Sequence, residues 1–285
     1  MARREAPNYT KAMPWTRRRW MESWILAAAA PQLRSEDSAV LIDNPKGNFQ
    51  FLKGSGPFSS GAVASSGYEV VHAIFNPLPP LEKAFGLIEQ HLASRKRPIQ
   101  ALCGMELRIP KALSFEGFDQ FNQPYIEKLK KWDLHVEGLN PVARTNVAIE
   151  VSPVAAPSVY GFCYTAPSNF RGKTFVVAGA GELRSGQDIV RQGDTSTEGM
   201  REKVKYVLDV MAGRLKDMGV AWTDVTATNV YTVFALDPLM KGMILPVLGE
   251  AARHGIRWHY ARPPITGIDF EMDIRGVRQE ITLAE

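Results

Sequence analysis

One arrangement of elements occurs twice in this chain, about 110 residues apart, and a repeat of that length limits the fold before anything else does. Residues 143–162 read ARTNVAIEVSPVAAPSVYGF, and residues 256–275 read IRWHYARPPITGIDFEMDIR. Each is an Arg opening a short strand, a Pro-containing turn and a second strand. Each follows an amphipathic helical stretch, 114–132 in the first case and 237–254 in the second. The copies differ in chemistry. The last strand of the second carries Glu271 and Asp273, whereas 158–162 in the first holds no carboxylate. The second half is therefore expected to carry the chemistry, with the first as a degenerate copy.

Periodicity supplies the remaining elements. Strands at 39–42 and 48–52 flank the turn residues Asn44, Pro45, Lys46 and Gly47 and read as a hairpin. A third strand is expected at 68–75. A helix then runs from 77–80 to about 95, with Leu81, Phe85, Ile88 and Leu92 on one stripe. A strand at 100–109, a helix at 114–132 and strands at 144–151 and 158–164 complete the order β-β-β-α-β-α-β-β. The second half gives a strand at 174–178 and a long helix at 196–218, where Thr195 and Glu198 have capping-box spacing. A strand at 225–234, a helix at 238–254 and closing strands at 256–262 and 268–275 follow. The pattern predicts an α+β fold with helices on one face of each sheet. The expected organisation is an arm over 1–36, a first domain over 37–164, a linker over 165–174 and a second domain over 175–285.

Of 285 residues, 45% are hydrophobic and 22% charged, which is ordinary for a soluble domain with a core. The net charge of +4 belongs to the first 20 residues. There Arg3, Arg4, Lys11, Arg17, Arg18 and Arg19 face only Glu5, leaving the body slightly negative. That body offers no basic field for nucleic acid. Arg17 to Arg19 before the apolar 24–30 have the look of a twin-arginine export signal, but the apolar run is short and Glu22 interrupts its start. No segment approaches the ~20 apolar residues that span a bilayer. Cys103 and Cys163 form no disulfide framework or metal cluster and read as buried thiols. A cytoplasmic location is expected.

Gly179 and Gly181 after a strand invite a dinucleotide reading, but Arg184 stands where the third glycine belongs, so turn glycines are expected instead. The five histidines have no metal spacing, and neither a metal nor another cofactor is expected. Alternation places Arg257, His259 and Ala261 on one face of a strand and Glu271, Asp273 and Arg275 on one face of the next. A guanidinium binds a carboxylate through two parallel hydrogen bonds, so Arg257 and Glu271 line one cleft if these strands are neighbours. A structural ion pair across a sheet is the competing reading.

The stretch from about 175 to 281 resembles the Rid (reactive intermediate deaminase, YjgF-like) family. The likeness rests on the long helix, on 219–225 leading into Asn229, Val230 and Tyr231, and on the ending of Arg-strand, Pro-turn and Glu-strand. The first half keeps the family's Pro-x-Ala-Arg start as Pro141 to Arg144, with Val159 where the Glu falls. Ile256 before Arg257, a slightly shorter Arg-to-Glu spacing and His259 depart from the family pattern. The resemblance implies two tandem chorismate-mutase-like domains, each with two helices on one face of a sheet, assembled as a homo-oligomer, preferably a trimer. It implies metal-independent hydrolysis of an enamine or imine carboxylate. Glu271 then activates water, and Arg257 holds the substrate carboxylate. His259 assists catalysis or binds a second carboxylate, and Asp273 contributes to substrate binding. Those groups suit a dicarboxylate such as 2-aminomuconate or a substituted 2-aminomuconate from aromatic-amine or nitroaromatic degradation. Chorismatases share the tandem resemblance, so hydrolysis of an enolpyruvyl ether is an alternative. A non-catalytic ligand-binding or scaffold protein is another.

Overall fold

Strand alternation sorts the side chains into three apolar layers in the computed structural model, which describes residues 40–284. The arm expected over 1–36, with its export-like motif, lies outside the described residues. One sheet contains, in spatial order, β1 (Leu41–Asn44), β2 (Phe49–Leu52), β3 (Gly61–Ala64), β8 (Phe175–Gly181), β12 (Glu271–Gly276), β9 (Ala227–Tyr231) and β10 (Arg257–His259). The other contains β11 (Ala261–Arg262), β6 (Ala143–Ile149), β5 (Leu102–Ile109), β7 (Ser158–Pro167), β4 (Tyr68–Asn76) and β13 (Gln279–Ala284).

The long helix α3 (Thr197–Asp217) covers the outer face of the first sheet, where Val204, Val207, Leu208 and Met211 meet Phe175, Val177, Met272 and Ile274. Helices α1 (Leu81–Ser94) and α2 (Phe115–Lys131) cover the second sheet, with Phe85, Ile88, Tyr125 and Leu129 against Met105, Val159 and Phe162. The inner faces meet through Phe49, Phe51, Val70, Cys103, Cys163, Val176 and Ala178. Burying one such large side chain contributes about 2 kcal/mol. Both cysteines are free and buried, and burial pushes both thiols up.

Each sheet has the same four-strand kernel. In one, β6 runs parallel to β5, which is antiparallel to β7, which is antiparallel to β4. In the other, β10, β9, β12 and β8 repeat that order and those directions. The two halves also trade edges. Strand β3 pairs with β8 of the second half, while β13 pairs parallel to β4 and β11 pairs with β6 of the first. Sheet membership therefore does not follow the stretch 165–174.

Several local expectations are revised. A strand absent from the sequence reading, β3, precedes 68–76, and β13 adds an edge beyond the last expected strand. The capping box gives way to Ser196, whose hydroxyl accepts from Gly199 N, while Asp194 accepts from Ser196 N. The helix expected at 238–254 breaks into Asp237–Leu239, a π-turn at Met240–Ile244, Leu245–Leu248 and a 3₁₀ stretch. Pro246 explains the break, since it offers no backbone N–H to continue the ladder. The strand expected at 256–262 divides between the two sheets at Tyr260. Among the described residues no helix is long and apolar enough to cross a membrane.

Candidate active site

At one end the space between the sheets turns polar. Alternation along β9, β10 and β12 aims two rows of side chains into it. His259, Tyr231 and Glu271 are directly opposed, and so are Arg257, Asn229 and Asp273. The second sheet answers with His72, Glu106, Arg108, Thr145 and Tyr160. Arg257 and Glu271 thus share a sheet face but not adjacent strands, because β9 lies between them.

Most of these groups satisfy one another. Asp273 accepts from Asn229 Nδ2 at 2.7 Å, Tyr231 Oη at 2.7 Å, Thr145 Oγ1 at 2.8 Å and Arg275 Nη2 at 2.9 Å. Arg275 Nη1 reaches Glu106 Oε1 at 2.9 Å, and that oxygen also meets His72 Nε2 at 2.6 Å. Against the cost of burial, Arg275 and His72 hold Glu106 well below the usual carboxylate range. Glu280, on β13, meets His72 Nδ1 at 2.9 Å and accepts both prongs of Arg257 at 3.0 and 2.6 Å. The His72 contact, joined by Arg257, holds Glu280 down at about 2 against its partial burial. Arg257 is thereby engaged and exposed, so the fork expected to hold substrate is already filled by a carboxylate of the chain.

Glu271 is the exception. It is 5% exposed, and no side-chain hydrogen bond reaches its carboxyl among the described residues. Burial pushes it well above the usual carboxylate range, the carboxylates of Asp273 and Glu182 push it further, and Arg108 and Arg144 pull it back. Space for it is made by Gly179, where a Cβ would overlap Glu271 Oε1 and stand 3.1 Å from Thr145 Cγ2. Gly179 and Gly181 belong to β8 and not to a turn. Gly179 N donates to Thr145 Oγ1 at 3.1 Å, which ties β8 to β6 beside the carboxyl. His259 stacks on Tyr231, with ring centroids 4.8 Å apart. Burial, with Arg108 beside it, lowers His259 to about 4, so its ring is neutral at neutral pH and offers a hydrogen bond but no charge.

Two guanidiniums near Glu271 are under-satisfied. Arg144 is 3% exposed in a cage of Phe58, Phe118 and Tyr125, with Nη2 donating to Asn122 Oδ1 at 2.7 Å. Its Nη1, both amide atoms of Asn146 and the Tyr125 hydroxyl have no partner among the described residues. Burial lowers Arg144 to about 10, which leaves it charged. Arg108 is 1% exposed, with Nη1 on Leu107 O at 3.0 Å and Nη2 unpartnered. Each such buried orphan costs about 1–3 kcal/mol. Beyond the cleft, Glu182 accepts from Asp269 N at 2.6 Å and Phe270 N at 3.0 Å, while the buried Lys203 pairs with Asp269. This clamp fixes the backbone entering Glu271.

Sequence reasoning found Glu271, His259 and Asp273 in the cleft. It missed Arg108 altogether and set Arg144 aside as a relic. A signal for Arg108 existed, since Glu106 and Arg108 alternate with apolar residues in a strand that is otherwise core. Among the described residues no group of three His, Cys, Asp or Glu side chains is placed to hold a metal ion.

A buried carboxyl with a raised affinity for its proton, beside two under-satisfied guanidiniums, is the equipment of an acid–base enzyme for an anionic substrate. The description "2-aminomuconate deaminase CnbZ" fits residues 41–281, and the chain belongs to that family. It is 37% identical over 244 residues to a 2-amino-5-chloromuconate deaminase of Comamonas testosteroni, covering 83% of this chain and 96% of that one. Similar solved structures include a chorismatase, at 10% identity and TM-score 0.46 over 84% of this chain and 80% of that one. They also include a putative endoribonuclease from Thermotoga maritima, at 20% identity and TM-score 0.25 over 37% of this chain and 80% of that one.

Proposed function

We propose that this protein hydrolyses a 2-aminomuconate, substituted or not, to the corresponding 2-oxo dicarboxylate and ammonia, with Glu271 as the group that moves protons. The observation that carries this reading is the buried Glu271 carboxyl, held well above the usual carboxylate range within electrostatic reach of Arg108 and Arg144. A protonated Glu271 first donates to an enamine carbon, which turns the C–N bond into an imine. As a carboxylate it then takes a proton from water adding to the imine carbon, the one that bears the nitrogen, and returns a proton to that departing nitrogen. Substrate and one water become the oxo acid and one ammonia. An imine carbon is already electrophilic, so no metal is required. Arg144 holds the carboxylate next to the reacting carbon, and Asn146 and Tyr125 supply further hydrogen bonds. Asp273, saturated by four donors, orients Tyr231 and Asn229, and His259 walls the cleft as a neutral ring.

The reading extends to two tandem Rid-like units, with Arg144 from one and Glu271 from the other, and to a homotrimer. Superposing the two four-strand kernels tests the first point, and a monomer mass in light scattering would overturn the second. The test of the function is stoichiometric. Purified protein with 2-aminomuconate should release one ammonia per substrate at a rate unchanged by a chelator. Absence of ammonia would sink the proposal.

A further inference from the structure

Arg108 is held in an unusual state for a buried guanidinium. Its Cζ stands 4.2 Å from the centroid of Tyr160 and 5.6 Å from that of Tyr231, so aromatic faces fix its plane. Its Nη2 is buried with no acceptor among the described residues. Of the nearby carboxylates, Asp273 is fully engaged, and Glu106 is engaged through Oε1 alone, its Oε2 being buried without a partner among the described residues. Asp273 has four donors, and Glu106 is bridged by Arg275 and His72. Stacking leaves the edge of the fork as the place for a ligand, and an acceptor supplied there removes the cost of the orphaned donor. Tyr160 is only half-buried, which puts the mouth of the cleft beside this fork.

We propose that Arg108 anchors a second substrate carboxylate and makes the cleft selective for dianions over monoanions, an inference that rests on the deaminase reading of the same cleft. Glu271 responds to both Arg108 and Arg144, which lie on neighbouring strands β5 and β6. A conjugated chain with one carboxylate on Arg108 would lay its middle at Glu271. Tyr231, directly opposed to Glu271 on β9, gives that planar chain an aromatic wall.

The test uses two unreactive probes of the same shape, muconate with two carboxylates and sorbate with one, in equilibrium titrations of the full chain. The wild type should bind muconate at least about tenfold more tightly than sorbate, as expected for one added charge-assisted contact. Arg108→Gln should weaken muconate by about tenfold to a hundredfold and leave sorbate within about threefold. Arg108→Lys should fall between, since an ammonium keeps charge without the fork; it also serves if the Gln variant does not fold, as a melting curve would reveal. Equal weakening of both probes, unchanged muconate binding, or a wild type indifferent to the second carboxylate overturns the proposal. Failure of the deaminase reading has a separate signature: no ammonia from 2-aminomuconate while muconate still binds through Arg108.

Discussion

Arg144 and Arg257 begin strands that hold the same place in the two sheets, each parallel to its neighbour, yet their environments are opposite. Arg144 pairs in register with Met105, a residue of the helix-covered core, and is buried in an aromatic cage with one nitrogen unpartnered. Arg257 pairs with Asn229 on the face between the sheets, reaches the surface and closes both prongs on Glu280. A buried fork with a spare donor has free energy to gain from a ligand carboxylate. An exposed fork already matched has little to gain, because such pairs contribute about 0–1 kcal/mol. The half that lacks the Glu thus holds the guanidinium with a spare donor, and the half with Glu271 holds the one already paired.

The largest effect should come from the acid itself. Glu271→Gln keeps shape while removing the titrating group, and kcat for ammonia release should fall by about 10²–10⁴-fold. Near-normal turnover in a folded variant would move the chemistry elsewhere. The comparison of the two arginines is next. Arg144→Gln should lower kcat/KM by about 10–100-fold, the loss of a charge-assisted two-pronged contact, while Arg257→Lys should stay within about threefold. The reverse order would restore Arg257 as the anchor, and melting curves on both variants separate binding from stability.

Gly179→Ala should act chiefly through Glu271. The new Cβ would overlap Oε1 of the carboxyl, so turnover should drop by about tenfold while substrate affinity changes little. Unaltered turnover would mean the acid has room that the geometry denies it. The smallest effect concerns pH. Burial raises Glu182 from the ordinary 4.5 to about 7, against the pull of the Asp269 and Phe270 amides and of Lys203. The folded state therefore binds this proton more tightly than the unfolded state. Its contribution is fully present below about pH 4.5 and is lost as pH rises through about 7. Chemical denaturation across that window should show stability declining, and Glu182→Gln should flatten the decline. A slope unchanged by the substitution would assign it to another group.

Much of this was legible before the fold was known. Periodicity located α1, α2 and α3 nearly to the residue, and the repeated Arg-strand, Pro-turn and second strand correspond to β6–β7 and β10–β12. Glu271 stood out because its counterpart was missing. Arg108 belongs to no repeated motif, and its one signal in the sequence is its alternation with Glu106 inside an apolar strand. The strand β13 was hidden by its polar composition, which suits an exposed edge but resembles a tail.

By itself, then, the sequence determined most of the secondary elements, the repeated Arg-strand, Pro-turn and second strand, and the carboxylate that only the second copy carries, because helix and strand periods are written within a few neighbouring positions. Tertiary structure decided which guanidinium is free. It passed β3 to the sheet of the second half, brought Glu280 onto Arg257 and joined Thr145 to Asp273 across 128 positions of chain. Burial and pairing set the charge state of Glu271 and the availability of each arginine. Both depend on side chains that meet only after the two sheets close on each other.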